Sequence, residues 1–281
     1  MYRLMITACC ALVLGQWMPQ PSFGQDAENP AVRKLNRDIP RHKEFLNRIE
    51  QSNASGDVIF LGDSITHGWE GQKAWQEHFG AFKPVNLGIG GDQTGHVLWR
   101  ITEGHEIDRL NPKAAVLMIG TNNTGSHSAQ QIAGGIQAIV EELRRQKPGI
   151  KVLVLGVFPR GNASDAERNL NQITEAMKPI NEELKKEQPD IKRLNTLIRN
   201  LERQRGTIPS TKLARKIAEI NALIAKLDDG KNVFYKDIGR VFLDENGGLS
   251  GEIMPDYLHL SPKGYDLWGK AIKDDLAKLV R

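Results

Sequence analysis

The chain has 281 residues, of which 40% are hydrophobic and 26% charged, a balance that buries a core of ordinary size without help from metals or disulfides. Its 38 Lys and Arg are interleaved with 34 Asp and Glu for a formal charge of +4, and no long basic block marks it as a nucleic-acid binder. Both cysteines, Cys9 and Cys10, lie at the extreme N-terminus.

That N-terminus reads as a secretory signal peptide over residues 1–24. Met1-Tyr2-Arg3 gives a positive start, Leu4 to Gly15 is apolar, and Ser22-Phe23-Gly24 offers small residues for cleavage after Gly24. The apolar run is too short to be a stable membrane span. A lipoprotein site at Cys9 is the rival reading, disfavoured because the apolar run continues beyond it. The mature chain is then free of cysteine, which excludes disulfides, a thiolate nucleophile and Cys metal ligands. The expected location is secreted or periplasmic.

Residues 25–56 divide into a polar, flexible lead-in up to about residue 34 and a helix from Arg41 to Gln51, with Phe45, Leu46 and Ile49 on one side. From residue 57 to 281 a rhythm sets in. Val58–Leu61, Val85–Leu87, Ala114–Ile119 and Val152–Leu155 are short apolar runs, each followed by a glycine, and Val233–Tyr235 is a weaker fifth. Such runs suit strands buried on both faces. Helical stretches are expected between them at Trp69–Phe79, Thr94–Leu110, Ser128–Gln146 and Pro262–Val280. Alternating strand and helix predicts an α/β domain with a parallel sheet between two helix layers. The polar, helix-favouring segment at about 165–228 is too long for a plain loop. It predicts an insertion of two or three helices broken near Gly206–Pro209. Arg168, Leu170, Ile173 and Met177 have the same spacing as Arg215, Ile217, Ile220 and Ile224. The segment reads as a surface hairpin, or as a partner-binding arm.

Four polar clusters follow predicted strands or precede the last helix, and ligands bind at that edge of an open parallel sheet. Gly62-Asp63-Ser64 places a serine in a tight strand-to-helix turn, which is also how an ordinary helix cap reads. Gly88-Ile89-Gly90-Gly91-Asp92 brings backbone amides close to a ligand. Gly91 is the candidate oxyanion donor, and the dinucleotide and phosphate-loop patterns are absent. Gly120-Thr121-Asn122-Asn123 offers the Asn122 amide, or simply a turn. Asp256-Tyr257-Leu258-His259 precedes a Ser261-Pro262 helix start, so one turn can bring the Asp256 carboxylate to the His259 ring. A serine hydroxyl is a poor nucleophile until a base removes its proton, and a carboxylate fixes and supports that base. Asp63 and Asp92 are expected to brace their loops through backbone amides. Trp75, Trp99 and Trp268 read as core, with Trp99 the best candidate to line a pocket.

The four clusters in this order resemble the SGNH, or GDSL-type, hydrolases. The match at Ser64, Gly91, Asn122 and His259 carries the family's four letters, and Asp256 matches its carboxylate. Gly88–Arg100, Leu155–Gly161 and Asp256–Ser261 resemble the catalytic subunits of platelet-activating factor acetylhydrolase and their bacterial relatives. The resemblance implies a flavodoxin-like, three-layer α/β/α fold with about five parallel strands. It also implies hydrolysis of short acyl esters, acetyl first, with Ser64, Asp256 and His259 as catalytic residues. The oxyanion donors would be the amides of Ser64 and Gly91 and the side chain of Asn122. It implies no cofactor and no metal, a small-molecule or glycan ester as substrate, and a homodimer as a candidate assembly. The alternative function is a glycan- or lipid-binding protein without catalysis on the same scaffold.

Overall fold

The computed structural model describes residues 29–51, 56–161, 163–205, 209–244 and 248–281. The signal peptide expected over residues 1–24 lies outside them. Five strands, β1 (Val58–Gly62), β2 (Pro84–Gly88), β3 (Ala114–Met118), β4 (Lys151–Leu155) and β5 (Val233–Lys236), form one sheet in the order β2-β1-β3-β4-β5. Every pairing is parallel. The chain leaves β1 toward one edge and returns past it to the other, so the order reverses between β1 and β3.

Period-two alternation along the strands builds two cores. Ile59, Leu61, Leu87, Ala115, Leu117, Val152 and Val154 face one side. They pack there with residues of α1 (Pro40–Gln51), α4 (Thr94–Ile101), α5 (Ala129–Gln146) and α8 (Pro209–Ile224). Val58, Phe60, Val116, Met118, Leu153 and Leu155 face the other. They meet α3 (Lys73–Phe79), α9 (Pro262–Leu279) and an aromatic cluster of Trp69, Phe79, Phe158, Tyr265 and Trp268. Both faces are covered, which is why the strands read as unbroken apolar runs. The fold is three-layer α/β/α.

Four expectations change. The lead-in expected to be flexible is ordered from residue 29, with a 3-10 turn at Pro30–Val32 and Ala31 buried. The helix expected from Trp69 begins only at Lys73, because Gly71 adopts a left-handed conformation (φ +77°) that an α-helix cannot contain. The one expected over Thr94–Leu110 stops at Ile101. There the chain turns back so that the Gly104 amide donates to Trp99 and the Glu106 amide to Arg100, which brings the buried Glu106 carboxylate onto the Arg100 guanidinium. The segment at 165–228 holds α6 (Ala163–Leu184), α7 (Ile191–Arg205) and α8, but α8 is not a surface elaboration. Its Ile217, Ile220 and Ile224 are buried against α5 and the sheet. Met177, Leu184, Ile191 and Ile198, on α6 and α7, are exposed.

Candidate active site

The C-terminal ends of β1, β2 and β3 carry the site. Gly62 and Gly88 end their strands beneath α2 (Ser64–His67). A Cβ on Gly88 would overlap the His67 backbone, and one on Gly62 would overlap Thr66 Oγ1. Only glycine lets this short helix sit directly on the sheet edge. Asp63 caps α2, its Oδ1 accepting from the Ile65 amide at 3.0 Å. Ser64 occupies the first helical position, whose amide lacks an intrahelical partner.

His259 and Asp256 arrive from the loop before α9. The Ser64 Oγ hydroxyl donates to His259 Nε2 across 2.9 Å, and His259 Nδ1 donates to Asp256 Oδ2 across 2.6 Å. Asp256 Oδ1 accepts from the amides of His259 at 2.7 Å and Leu258 at 3.0 Å. The fold-back puts Tyr257 at φ +60°, a conformation uncommon for a bulky side chain. Partial burial pushes the Asp256 carboxyl up, but the three hydrogen bonds and the imidazole outweigh it and hold the group below its ordinary value. The His259 and Asp256 side chains are 46% and 55% exposed, so the dyad faces open solvent. Ser261 caps α9, and the buried Tyr265 hydroxyl donates to the Ile65 carbonyl at 2.8 Å. That bond ties the helix behind His259 to the turn that carries Ser64.

Gly91 adopts φ +81°, where a side chain is strained. Its neighbour Gly90 lies against the serine, since a Cβ there would meet Ser64 Cβ at 3.8 Å. Asn122 Nδ2 donates to the Asp92 carbonyl at 2.9 Å. One of its two N–H bonds is thereby used, and the amide plane is fixed. The next residue does different work. Asn123 is buried and exchanges hydrogen bonds with the amide and hydroxyl of Thr94. The geometry thus brings Ser64, His259 and Asp256 into one hydrogen-bonded chain, with the Gly90–Gly91 loop beside the serine and Asn122 bonded to the end of that loop. Among the described residues, no group of three or more His, Cys, Asp or Glu could hold a metal ion.

The family model of the GDSL-like lipase/acylhydrolases matches residues 60–267. This chain belongs to that family. It is 30% identical to the alpha1 subunit of platelet-activating factor acetylhydrolase IB from Bos taurus, over 90% of this chain and 91% of that one. It is 36% identical to the alpha2 subunit from Gallus gallus, over 87% and 86%. A GDSL-like lipase structure from Bacteroides thetaiotaomicron shares the fold at a TM-score of 0.57 with 20% identity, covering 84% of this chain and 97% of that one. Like its family, the chain is a carboxylic ester hydrolase.

Within this GDSL-like acylhydrolase Trp99 is core, as expected, buried with its ring edge-on to that of His42. One expected role differs. Asp63 braces its turn through a backbone amide as expected, but the buried Asp92 carboxylate is held by guanidinium groups instead. Arg37 Nε reaches Oδ1 at 2.7 Å and Arg100 Nε reaches Oδ2 at 2.9 Å. A carboxylate removed from water needs opposite charge. Burial is the largest influence on Asp92 and raises it, against the pull of both arginines. Sequence reasoning missed Arg37, Arg100, Glu106 and Tyr265. Only Arg100, at the end of the Gly88–Arg100 stretch, stood near a recognisable motif.

Proposed function

We propose that this ester hydrolase works through Ser64, His259 and Asp256 on short acyl groups, acetyl first. The observation that carries the reading is the continuous chain from Ser64 Oγ through both ring nitrogens of His259 to Asp256. An ionised carboxylate can only accept from Nδ1, so that nitrogen carries the proton and Nε2 is the free base. As Ser64 Oγ attacks the acyl carbon, its proton moves to Nε2 and Asp256 stabilises the imidazolium. The carbonyl oxygen becomes an oxyanion, received by the amides of Ser64 and Gly91 and the second N–H of Asn122. His259 then returns the proton to the departing alkoxide, leaving an acyl-Ser64 ester. Water, activated by the same ring, hydrolyses that ester and regenerates the serine.

The acetyl preference rests on the acetylhydrolase relatives. A signal-like N-terminus supports an exported enzyme, for which an O-acetylated glycan is a suitable substrate. Hydrolysis of p-nitrophenyl acetate, butyrate and octanoate by purified protein, beside Ser64→Ala, tests the reading. Serine-dependent turnover that falls with chain length supports it. Undiminished turnover in Ser64→Ala overturns it, and a folded protein that turns over none of the three returns weight to a binding protein.

A further inference from the structure

The segment before the family-matched residues packs against α4 and α5 and reaches the loop after β2. The Asn29 side chain donates to the Gln131 carbonyl at 3.1 Å, Thr94 Oγ1 donates to the Ala31 carbonyl at 2.7 Å, and the Leu35 amide donates to Gly95 at 3.1 Å. Gly95 and Gly135 make room for it: a Cβ on Gly95 would overlap the Arg33 carbonyl, and one on Gly135 would crowd Ala31. At the far end of this strap stands Arg37. Its Nε meets Asp92 Oδ1 at 2.7 Å and its Nη2 donates to the Gly90 carbonyl at 2.6 Å. One guanidinium therefore grips both sides of Gly91, from outside the residues that the family model covers. Asp92 is held from within by Arg100, which Glu106 in turn engages. The Asp92 carbonyl orients Asn122.

We infer that Arg37 is a positioning residue for ester hydrolysis, fixing through Gly90 and Asp92 the loop that presents the Gly91 amide and the Asn122 side chain to the oxyanion. The inference rests on the oxyanion site proposed above. Its physical content is two-point fixation. Left-handed glycines have many accessible conformations, and a donor pair a fraction of an ångström out of place loses most of its effect on a developing charge. A forked cation that ties the carbonyl before Gly91 to the side chain after it removes that freedom. Arg37 touches no reacting atom, so its effect belongs in kcat and not in ground-state affinity.

The test compares wild type, Arg37→Ala and Arg37→Lys on p-nitrophenyl acetate and on its thionoacetate analogue, with Tm and fluorophosphonate active-site titration for each. Sulfur is a weak hydrogen-bond acceptor, so the ratio of oxo-ester to thiono-ester rates reads the oxyanion donors directly. Arg37→Ala should lower kcat by about 10- to 100-fold, leave KM within about twofold, and bring the oxo-to-thiono ratio toward one. Arg37→Lys keeps the charge against Asp92 but loses the second grip, and should fall between. The inference is overturned by an unchanged kcat in Arg37→Ala, by a reduced kcat with the wild-type ratio, or by Arg37→Lys matching wild type in both. Ser64→Ala separates the two claims: activity in that variant removes the proposed site itself, whereas its inactivity beside a fully active Arg37→Ala removes only the strap.

Discussion

Replacing Asp256 with Asn probes the most specific feature of the site, the proton position on His259. Asp256 Oδ1 accepts from two backbone amides, at 2.7 and 3.0 Å, and those donors do not move with the side chain. An Asn therefore keeps its oxygen at that position and turns its NH2 toward Nδ1. The ring must then accept at Nδ1 and carry its proton on Nε2, pointed at Ser64, where it cannot act as a base. Flipping the amide restores the tautomer but sets a donor against two donors. The side chain is 55% exposed, so water meets part of that mismatch and the flip costs roughly 1–3 kcal/mol in all. Adding the lost support for the imidazolium, kcat/KM should fall by about 10²- to 10⁴-fold, or about 3–5 kcal/mol in barrier. Both loop hydrogen bonds survive, so Tm should move little. The assay is p-nitrophenyl acetate turnover with thermal melting of the same preparation. A loss of less than about tenfold in a folded variant would refute the tautomer argument and the assignment of Asp256.

Gly91→Ala and Gly71→Ala form a matched pair. Both sites have left-handed backbones, φ +81° and +77°, with no close obstacle to a Cβ. Each should cost about 1–2 kcal/mol of stability, measurable by urea unfolding, but only Gly91→Ala should lower kcat. Asp63 is fully buried, and burial pushes its carboxyl up to about 7 against the pull of the Ile65 amide. A carboxyl raised in the folded state stabilises the fold at low pH. That contribution is lost as pH rises from about 4, where the unfolded group ionises, to about 7. The stability of wild type relative to Asp63→Asn should therefore fall by up to roughly 4 kcal/mol across that window and then level off; a flat difference between pH 4 and 7 would contradict it. Asn221→Ala should destabilise by about 1–3 kcal/mol, because its side chain exchanges hydrogen bonds with both backbone groups of Val157 and pins α8 to the end of β4.

The strands were legible because burial on both faces leaves continuous apolar runs, and the close seating of α2 demands the glycines that end β1 and β2. The site was legible for a related reason. Ser64, Gly91, Asn122 and the Asp256–His259 pair each follow or precede an element whose boundary is itself a strong local signal. What the sequence hid depends on partners distant along the chain. The stripes at Arg168–Met177 and Arg215–Ile224 have one spacing, yet Met177 is exposed and Ile220 and Ile224 are fully buried. Periodicity reports an apolar face and not what covers it. The early end of α4 goes with a buried Arg100–Glu106 pairing, which no window of helix propensity contains. Arg37 sits in a polar stretch with nothing local to separate it from other surface arginines, and its role exists only where the strap crosses the β2 loop.

The most direct test of the account is peptide mapping after reaction with a fluorophosphonate, which becomes covalently attached only where a base activates a serine beside an oxyanion site. The account predicts one adduct, on Ser64, forming in step with the loss of ester hydrolysis. Complete loss of hydrolysis with the adduct on another residue, or full activity with Ser64 modified, would contradict it.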